Sequence, residues 1–211
     1  AETGVELVTQ RMMEFAGDRK LCRIIIVNHI DADSAKLEDV LDNIRASFGR
    51  QCLPLNLPAR SGQAVADCFF EPADEDPDFS SVAAAHTEIL DQVVELDDDL
   101  MELYLESGED ISLAQLHDPF ERALRRGHLI PVCFVSAETG AGLRQLLRVF
   151  SQLMPNPLEA NPPEFYAQGN TENSIKIEAG NANAHFIGHV FKVNVDPYVG
   201  RLANFRVHQG S

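Results

Sequence analysis

Apolar residues recur along this chain in two rhythms, one helical and one extended. Over residues 4–17, Val5, Val8, Met12 and Phe15 or Ala16 fall at helical spacing. The segment 22–27 closes on the continuous apolar run Ile24–Val27, the pattern of a parallel strand covered by helices on both faces. Leu37, Val40, Leu41 and Ile44 then predict an amphipathic helix over 35–48, stopped by Gly49. Strand and helix alternating in this way predict a parallel sheet with crossover helices. A second apolar strand opens "LIPVCFVSAETGAG", 129–142, and leads into a helix with Leu143, Leu146, Leu147, Phe150 and Leu153 that Pro155 and Pro157 end.

Between these two units the rhythm breaks. Pro54, Pro58, Gly62, Pro72 and Pro77 predict a loop-rich insertion over 51–80, with one strand at Val65–Phe70 and a solvent loop at 72–79. Ile89, Val93, Leu96, Leu100 and Leu103 return at steps of three and four, so this stretch packs one helical face. Ser112 and Gln115 form a capping box ahead of the stripe Leu113, Leu116, Phe120 and Leu124. Gly127 is the expected C-cap, and Pro119 is expected to kink or split the helix. Residues 159–184 carry Pro, Asn and Gly with little periodicity and read as a linker. Period-two alternation on both sides of "DPYVG" predicts two strands within 185–211, too few to bury a core alone.

Composition narrows the classes. The 211 residues are 45% hydrophobic, enough for a real core, and carry a formal net charge of −16. That charge argues against a broad grip on nucleic acid, which needs clustered Lys and Arg. Residues 71–110 hold 15 of the 33 acids and no Lys or Arg. The run Asp97-Asp98-Asp99 within it reads as a solvated helix face, because three successive helical positions point in different directions and cannot enclose one metal ion. Cys22, Cys52, Cys68 and Cys133 form no CxxC pair, which points to free thiols and a reducing, cytoplasmic setting. No apolar run is long enough to span a membrane, and the first residues, with acidic Glu2 and Glu6 and no charged-then-apolar pattern, do not resemble a signal peptide, so neither membrane nor secretion is expected.

Candidate chemistry sits where the first apolar strand ends. Asn28, His29, Ile30 and Asp31 follow Val27 at the carboxyl end of that strand, where open α/β sheets bind ligands. Asn and Asp also serve as ordinary turn and cap residues. The second strand ends likewise in "SAE", 136–138.

"NHID" differs by one residue from NKxD, the guanine-specificity motif of GTP-binding proteins, and "SAE" is similar to the loop that completes their base pocket. Guanine offers two parallel donors, N1–H and the 2-amino group, and an ionised carboxylate accepts both as a fork. Adenine offers no such pair and would leave the acid unpaired. Beyond these loops, "ETGVELVTQRMMEFA", "RKLCRIIIVNHIDAD", "ELDDDLMELYLES", "LIPVCFVSAETGAGLRQLLRVFSQLMPNP" and "HVFKVNVDPYVGRLANFRVHQGS" resemble, in order, the translation elongation factor G family. The resemblance implies an α/β fold: part of a P-loop GTPase-type parallel sheet over 1–158, an inserted α+β subdomain at about 53–127, a linker at 159–184, and the first strands of a β-barrel domain at 185–211. It also implies that Asp31 selects the base of GTP or GDP, that Asn28 ties the loops together and reaches the base, that Ser136 braces the pocket, and that the Ala137 N–H faces guanine O6.

Two departures qualify the resemblance. The sequence contains no GxxxxGK[ST] and no DxxG segment with a Gly-rich switch, the parts that hold phosphates and Mg2+. The expectation is therefore a fragment of a longer GTPase, with the Mg2+ site outside this chain and no hydrolysis by, or nucleotide bound to, this piece alone. Secondly, His29 replaces the Lys whose stem lies over the base; an imidazole is shorter and carries no permanent charge. Weakened guanine affinity and a divergent or paralogous member are expected. Ribosome and ribosomal proteins are the implied partners. Two other readings compete: an acidic protein-binding module built on 71–110, and an unrelated α/β nucleotide enzyme. For the latter no Ser/His/Asp or Cys/His nucleophile motif appears, and His86, His117, His128, His185, His189 and His208 are scattered.

Overall fold

Every residue of the strand Ile130–Phe134 is buried, because its two faces feed two separate cores. In the computed structural model, which describes residues 4–32, 36–72, 76–107, 111–156, 164–169, 172 and 174–211, the chain divides into units 1–154 and 155–211. The first unit runs α1 (Leu7–Asp18), β1 (Ile25–Val27), α2 (Leu37–Phe48), β2 (Cys52–Pro54), β3 (Asn56–Ala59), β4 (Ala64–Asp67), α3 (Val82–Val94), α4 (Asp98–Ser107), α5 (Leu113–Arg126), β5 (Ile130–Phe134) and α6 (Leu143–Gln152).

The central sheet is parallel, in the order β1-β5-β2, with Val27 opposite Phe134 and Cys52 opposite Ile130. Side chains alternate across a strand. Ile130, Val132 and Phe134 therefore pack with Val40, Leu41 and Ile44 of α2, while Cys133 and the following Val135 pack into the larger core with α3, α5 and α6. Helices cover both faces, as the apolar runs predicted.

The insertion is less loop-like than expected. β2 is the third parallel strand, and β3 and β4 form an antiparallel hairpin directly after it. Pro54 does not break β2. Gln51 O accepts from Ile130 N–H at 2.8 Å and Leu55 N–H donates to Val132 O at 2.9 Å, so alternate residues face β5 and the donor-less Pro54 nitrogen points to the free edge. The expected strand Val65–Phe70 ends at Asp67 because its carboxylate accepts the N–H groups of Phe69 and Phe70, both at 2.8 Å, and turns the chain.

The expected helical spine over 89–103 is two helices. Asp97 Oδ1 accepts from Leu100 N–H at 3.0 Å, which makes Asp97 the cap of α4 and leaves Asp98 and Asp99 in its first turn. The solvated-face reading therefore holds for Asp98 and Asp99, whose positions open that helix, but not for Asp97, which is half-buried. α5 carries the full capping box and ends at left-handed Gly127; it runs unbroken through buried Pro119. α1 forms, yet Val8, Met12 and Phe15 stay exposed, and Val5 and Met13 are the residues that reach the α2-side core. Ala35, the expected start of the second helix, residues 73–75 of the expected solvent loop, Pro157 and residues 159–163 lie outside the described residues.

In the second unit, β6 (Phe165–Tyr166) pairs with β7 (Ser174–Ile175), and β8 (Ile187–Asp196) pairs antiparallel with β9 (Gly200–Gln209). The Asp196 carboxylate accepts from Tyr198 and Val199 N–H, at 2.8 and 2.9 Å, and shapes the predicted turn. Part of the expected linker is fastened down: the Gln209 carboxamide accepts from Glu178 N–H at 2.8 Å and donates to His185 O at 2.9 Å. Phe191, Val193 and Val195 remain exposed, as two strands cannot cover both of their own faces. Among the described residues no helix is long and apolar enough to cross a membrane.

Candidate functional site

The carboxyl ends of β1 and β5 lie side by side and are laced together. Val135 N–H donates to Val27 O at 2.9 Å, and Ile30 N–H donates to Val135 O at 3.3 Å. Ala137 N–H donates to Asn28 Oδ1 at 3.0 Å, joining residues 109 apart in sequence. Asn28 thus ties the two loops. The same N–H is the one expected to face guanine O6, and a base oxygen there would share it with Asn28.

His29 turns the first loop. Its φ of 61° lies in the left-handed region, which costs an L residue about 1–2 kcal/mol. The turn sends Ile30 into the core at 2% exposure while His29 stays exposed and Asn28 and Asp31 half-buried. Ser136 is fully buried, and its hydroxyl accepts from Thr139 N–H at 3.1 Å, which rounds the second loop into a turn. Gly142, at φ 73°, lets α6 start close against β5, where a Cβ would press on the Phe134 carbonyl.

Asp31 carries the acceptor chemistry. The Ser136 hydroxyl beside it, and then its own backbone N–H, hold its carboxyl below the usual aspartate value. The group is an anion at neutral pH. Its Oδ1 is nonetheless buried without a hydrogen-bond partner, an arrangement that suits a ligand bringing donors.

Two neighbours of this site were not legible as such in the sequence. Gly62, in the β3–β4 turn, sits against the peptide joining Ile30 and Asp31: a Cβ there would lie 2.6 Å from Ile30 C and 3.1 Å from Asp31 N. Asp78 accepts from Ser61 and Gly62 N–H at 2.8 and 2.9 Å. Residues 76–79, expected as solvent loop, are a strap: Asp78 N–H donates to Pro58 O at 2.8 Å, and the Phe79 ring meets Phe134 edge-on at 5.9 Å. A cavity of about 700 Å3 lined by Ile30, Ala32, Lys36, Leu37, Ser61 and Asp78 among others adjoins the loop. It omits Asn28, Asp31 and Ser136, so the candidate site is the crevice at the strand ends and not this cavity.

Three of the four thiols are buried. The four cysteines are free, and burial pushes the Cys52 thiol up to about 11 and those of Cys68 and Cys133 up to about 12, far from a reactive thiolate. Part of the acidic stretch is paired, mostly at the surface. Glu71 pairs with Arg148, Glu88 with Arg45, Glu95 with His128 and Asp97 with Arg122, so its exterior is less uniformly negative than its composition suggests.

Residues 1–156 match the family described as the elongation factor Tu GTP binding domain. Across its whole length the chain is 30% identical to an elongation factor G-like protein of Thermotoga maritima and 32% identical to elongation factor G of Mycoplasma pneumoniae. It covers 32% and 33% of those proteins. A crystal structure of a Thermus thermophilus protein matches 100% of this chain with 31% of its own, at a TM-score of 0.74 and 29% identity. The chain therefore spans about a third of the length of the relatives it matches.

Proposed function

Because the chain belongs to the elongation factor Tu GTP-binding domain family, we propose that Asn28, His29, Asp31, Ser136 and Ala137 form the guanine pocket of a translational GTPase resembling elongation factor G. The observation that carries this reading is the junction of the two strand ends, with the Ala137 N–H on Asn28 Oδ1 at 3.0 Å and the unpartnered Asp31 Oδ1 beside Ser136.

Each residue has a role that its chemistry supports. The Asp31 carboxylate accepts from guanine N1–H and the 2-amino group. Asn28 keeps the loops in register and offers its amide donors to the base. Ser136 braces Asp31, the Ala137 N–H is shared with O6, and the exposed His29 imidazole covers the base plane in place of a Lys stem. GTP supplies the phosphoryl chemistry, and the groups that hold its phosphates and Mg2+ lie outside this sequence, which has no GxxxxGK[ST]. In the full-length protein, nucleotide turnover is coupled to work on the ribosome in the cytoplasm, with ribosomal proteins as contacts. His29 marks it as a divergent or paralogous member.

Titration of the full-length protein with GDP and ADP tests the base assignment. Preference for GDP by at least about a hundredfold is expected, as for sites that reject a ligand lacking their hydrogen bonds. Equal or tighter binding of ADP would remove the reading.

A further inference from the structure

Resting on that guanine-pocket reading, we propose that the turn Arg60–Gly62, fastened by the Asp78 carboxylate, is the positioning element that sets Asp31 against the base edge. Arg60, Ser61 and Gly62 have φ values of 55°, 55° and 74°. Two of these are L residues held in the left-handed region, a conformation that persists where surrounding contacts over-determine it. Here the contacts are explicit. Asp78 accepts the N–H groups of Ser61 and Gly62 at 2.8 and 2.9 Å, its own N–H donates to Pro58 O at 2.8 Å, and Pro77 bridges to Ala59.

The turn so fixed has backbone against backbone with the base loop. A Cβ on Gly62 would run into the Ile30 carbonyl oxygen, stand 2.6 Å from Ile30 C and crowd Asp31 N at 3.1 Å. Neither neighbour is a flexible side-chain tip that can swing away. On its other side the loop is held by Ile30 N–H on Val135 O and by the buried Ile30 side chain. The Ile30–Asp31 peptide is thus clamped between the end of β5 and the hairpin turn. A two-point carboxylate contact tolerates displacements of only about 0.5 Å, so a shift of the size a Gly62 side chain imposes is enough to spoil it. Ser136 lies beside the carboxylate, but Oδ1 has no hydrogen-bond partner, so the backbone position of the loop decides where that oxygen stands.

The test is the discrimination of guanine from hypoxanthine, which lacks the 2-amino group. GDP and IDP affinities are measured for the full-length wild-type protein and its Gly62→Ala, Asp78→Ala and Asp78→Asn variants, with thermal melting to confirm folding. Gly62→Ala and Asp78→Ala are expected to weaken GDP binding by about tenfold or more and IDP binding less, lowering the GDP/IDP ratio at least about threefold. Asp78→Asn keeps one acceptor and is expected to recover part of the ratio. Should Gly62→Ala fail to fold, the Asp78 pair carries the test. An unchanged ratio in folded variants, with both affinities falling in parallel or neither falling, overturns the positioning role while leaving the pocket intact. A wild type that does not prefer GDP over ADP instead removes the pocket itself, and the positioning role with it.

Discussion

The Asn56 carboxamide grips both backbone groups of Phe134: Nδ2 donates to the Phe134 carbonyl at 3.0 Å, and Oδ1 accepts from its N–H at 2.7 Å. Asn56 is 1% exposed, and the pair spans 78 residues. Where the main-chain pairing of β2 to β5 gives out, one side chain continues it. It thereby fixes the end of β5 two residues before Ser136.

Replacing Asn56 by the similarly sized Leu is expected to destabilise the first unit by about 2–6 kcal/mol, since two buried backbone groups each lose their partner at roughly 1–3 kcal/mol. Urea unfolding with an unchanged m-value and a lowered midpoint is the check. A change below about 1 kcal/mol would mean that water or a local shift replaces the carboxamide.

Asp31→Asn exchanges an acceptor pair for one acceptor and one donor. GDP affinity is expected to fall about 10–200-fold, the equivalent of losing a charge-assisted hydrogen bond of about 1.5–3 kcal/mol. Xanthosine diphosphate, which has an accepting C2 carbonyl where guanine has a donating 2-amino group, can take the Asn amide N–H and is expected to bind the variant better than the wild type. Isothermal titration of both nucleotides against both proteins decides it.

The pH response of binding follows from the same residue. Its carboxyl is held below the ordinary value of 3.8 in the folded chain, first by Ser136. A depressed pKa means that the charged, binding-competent form is complete above 3.8 and is lost as pH falls through the lower folded-state value. GDP affinity attributable to Asp31 is expected to be flat across neutral and mildly acidic pH, checked by titration between about pH 5 and 8 with Asp31→Asn as the reference.

His29 sits at φ 61° with its ring exposed. His29→Lys is expected to tighten GDP binding by a few-fold, as the longer stem covers more of the base plane. Its gain is expected to be shared by IDP, because it does not touch the 2-amino group. Equal affinities for the two proteins would show that the imidazole already serves.

Asp97 caps α4 and pairs with Arg122, a partner that is 42% exposed. Asp97→Ala is expected to lose about 1–2 kcal/mol, mostly the cap, with the half-exposed pair adding little; Asp97→Asn, which keeps a cap acceptor, is expected to lose about half as much. Melting temperatures of the two variants check the order. The Leu100 N–H is the first cause of the lowered Asp97 pKa, so this contribution is present above pH 3.8 and fades below it.

Much of the fold could be read from periodicity alone. The runs at 24–27 and 129–135 announced strands buried on both faces, and β5 meets α2 on one side and α3, α5 and α6 on the other. The capping box at Ser112 and the cap at Gly127 formed as read. Periodicity misjudged 51–80 because proline signals a break wherever a backbone N–H is needed. At Pro54 none is needed, since that nitrogen faces away from β5. It also merged α3 with α4, because a stripe of Leu and Val continues across a cap that only the direction of the Asp97 carboxylate reveals.

The sequence by itself determined which residue types can recognise a guanine edge, and it placed Asn28, Asp31 and Ser136 at strand ends, because local apolar rhythm specifies strands and chemistry specifies acceptors. Tertiary structure alone decided that the two strand ends are neighbours, that the Ala137 N–H meets Asn28 Oδ1, and that Gly62 and Asp78 stand behind Asp31. Those facts depend on register and on contacts between segments far apart in the chain, which no local pattern encodes.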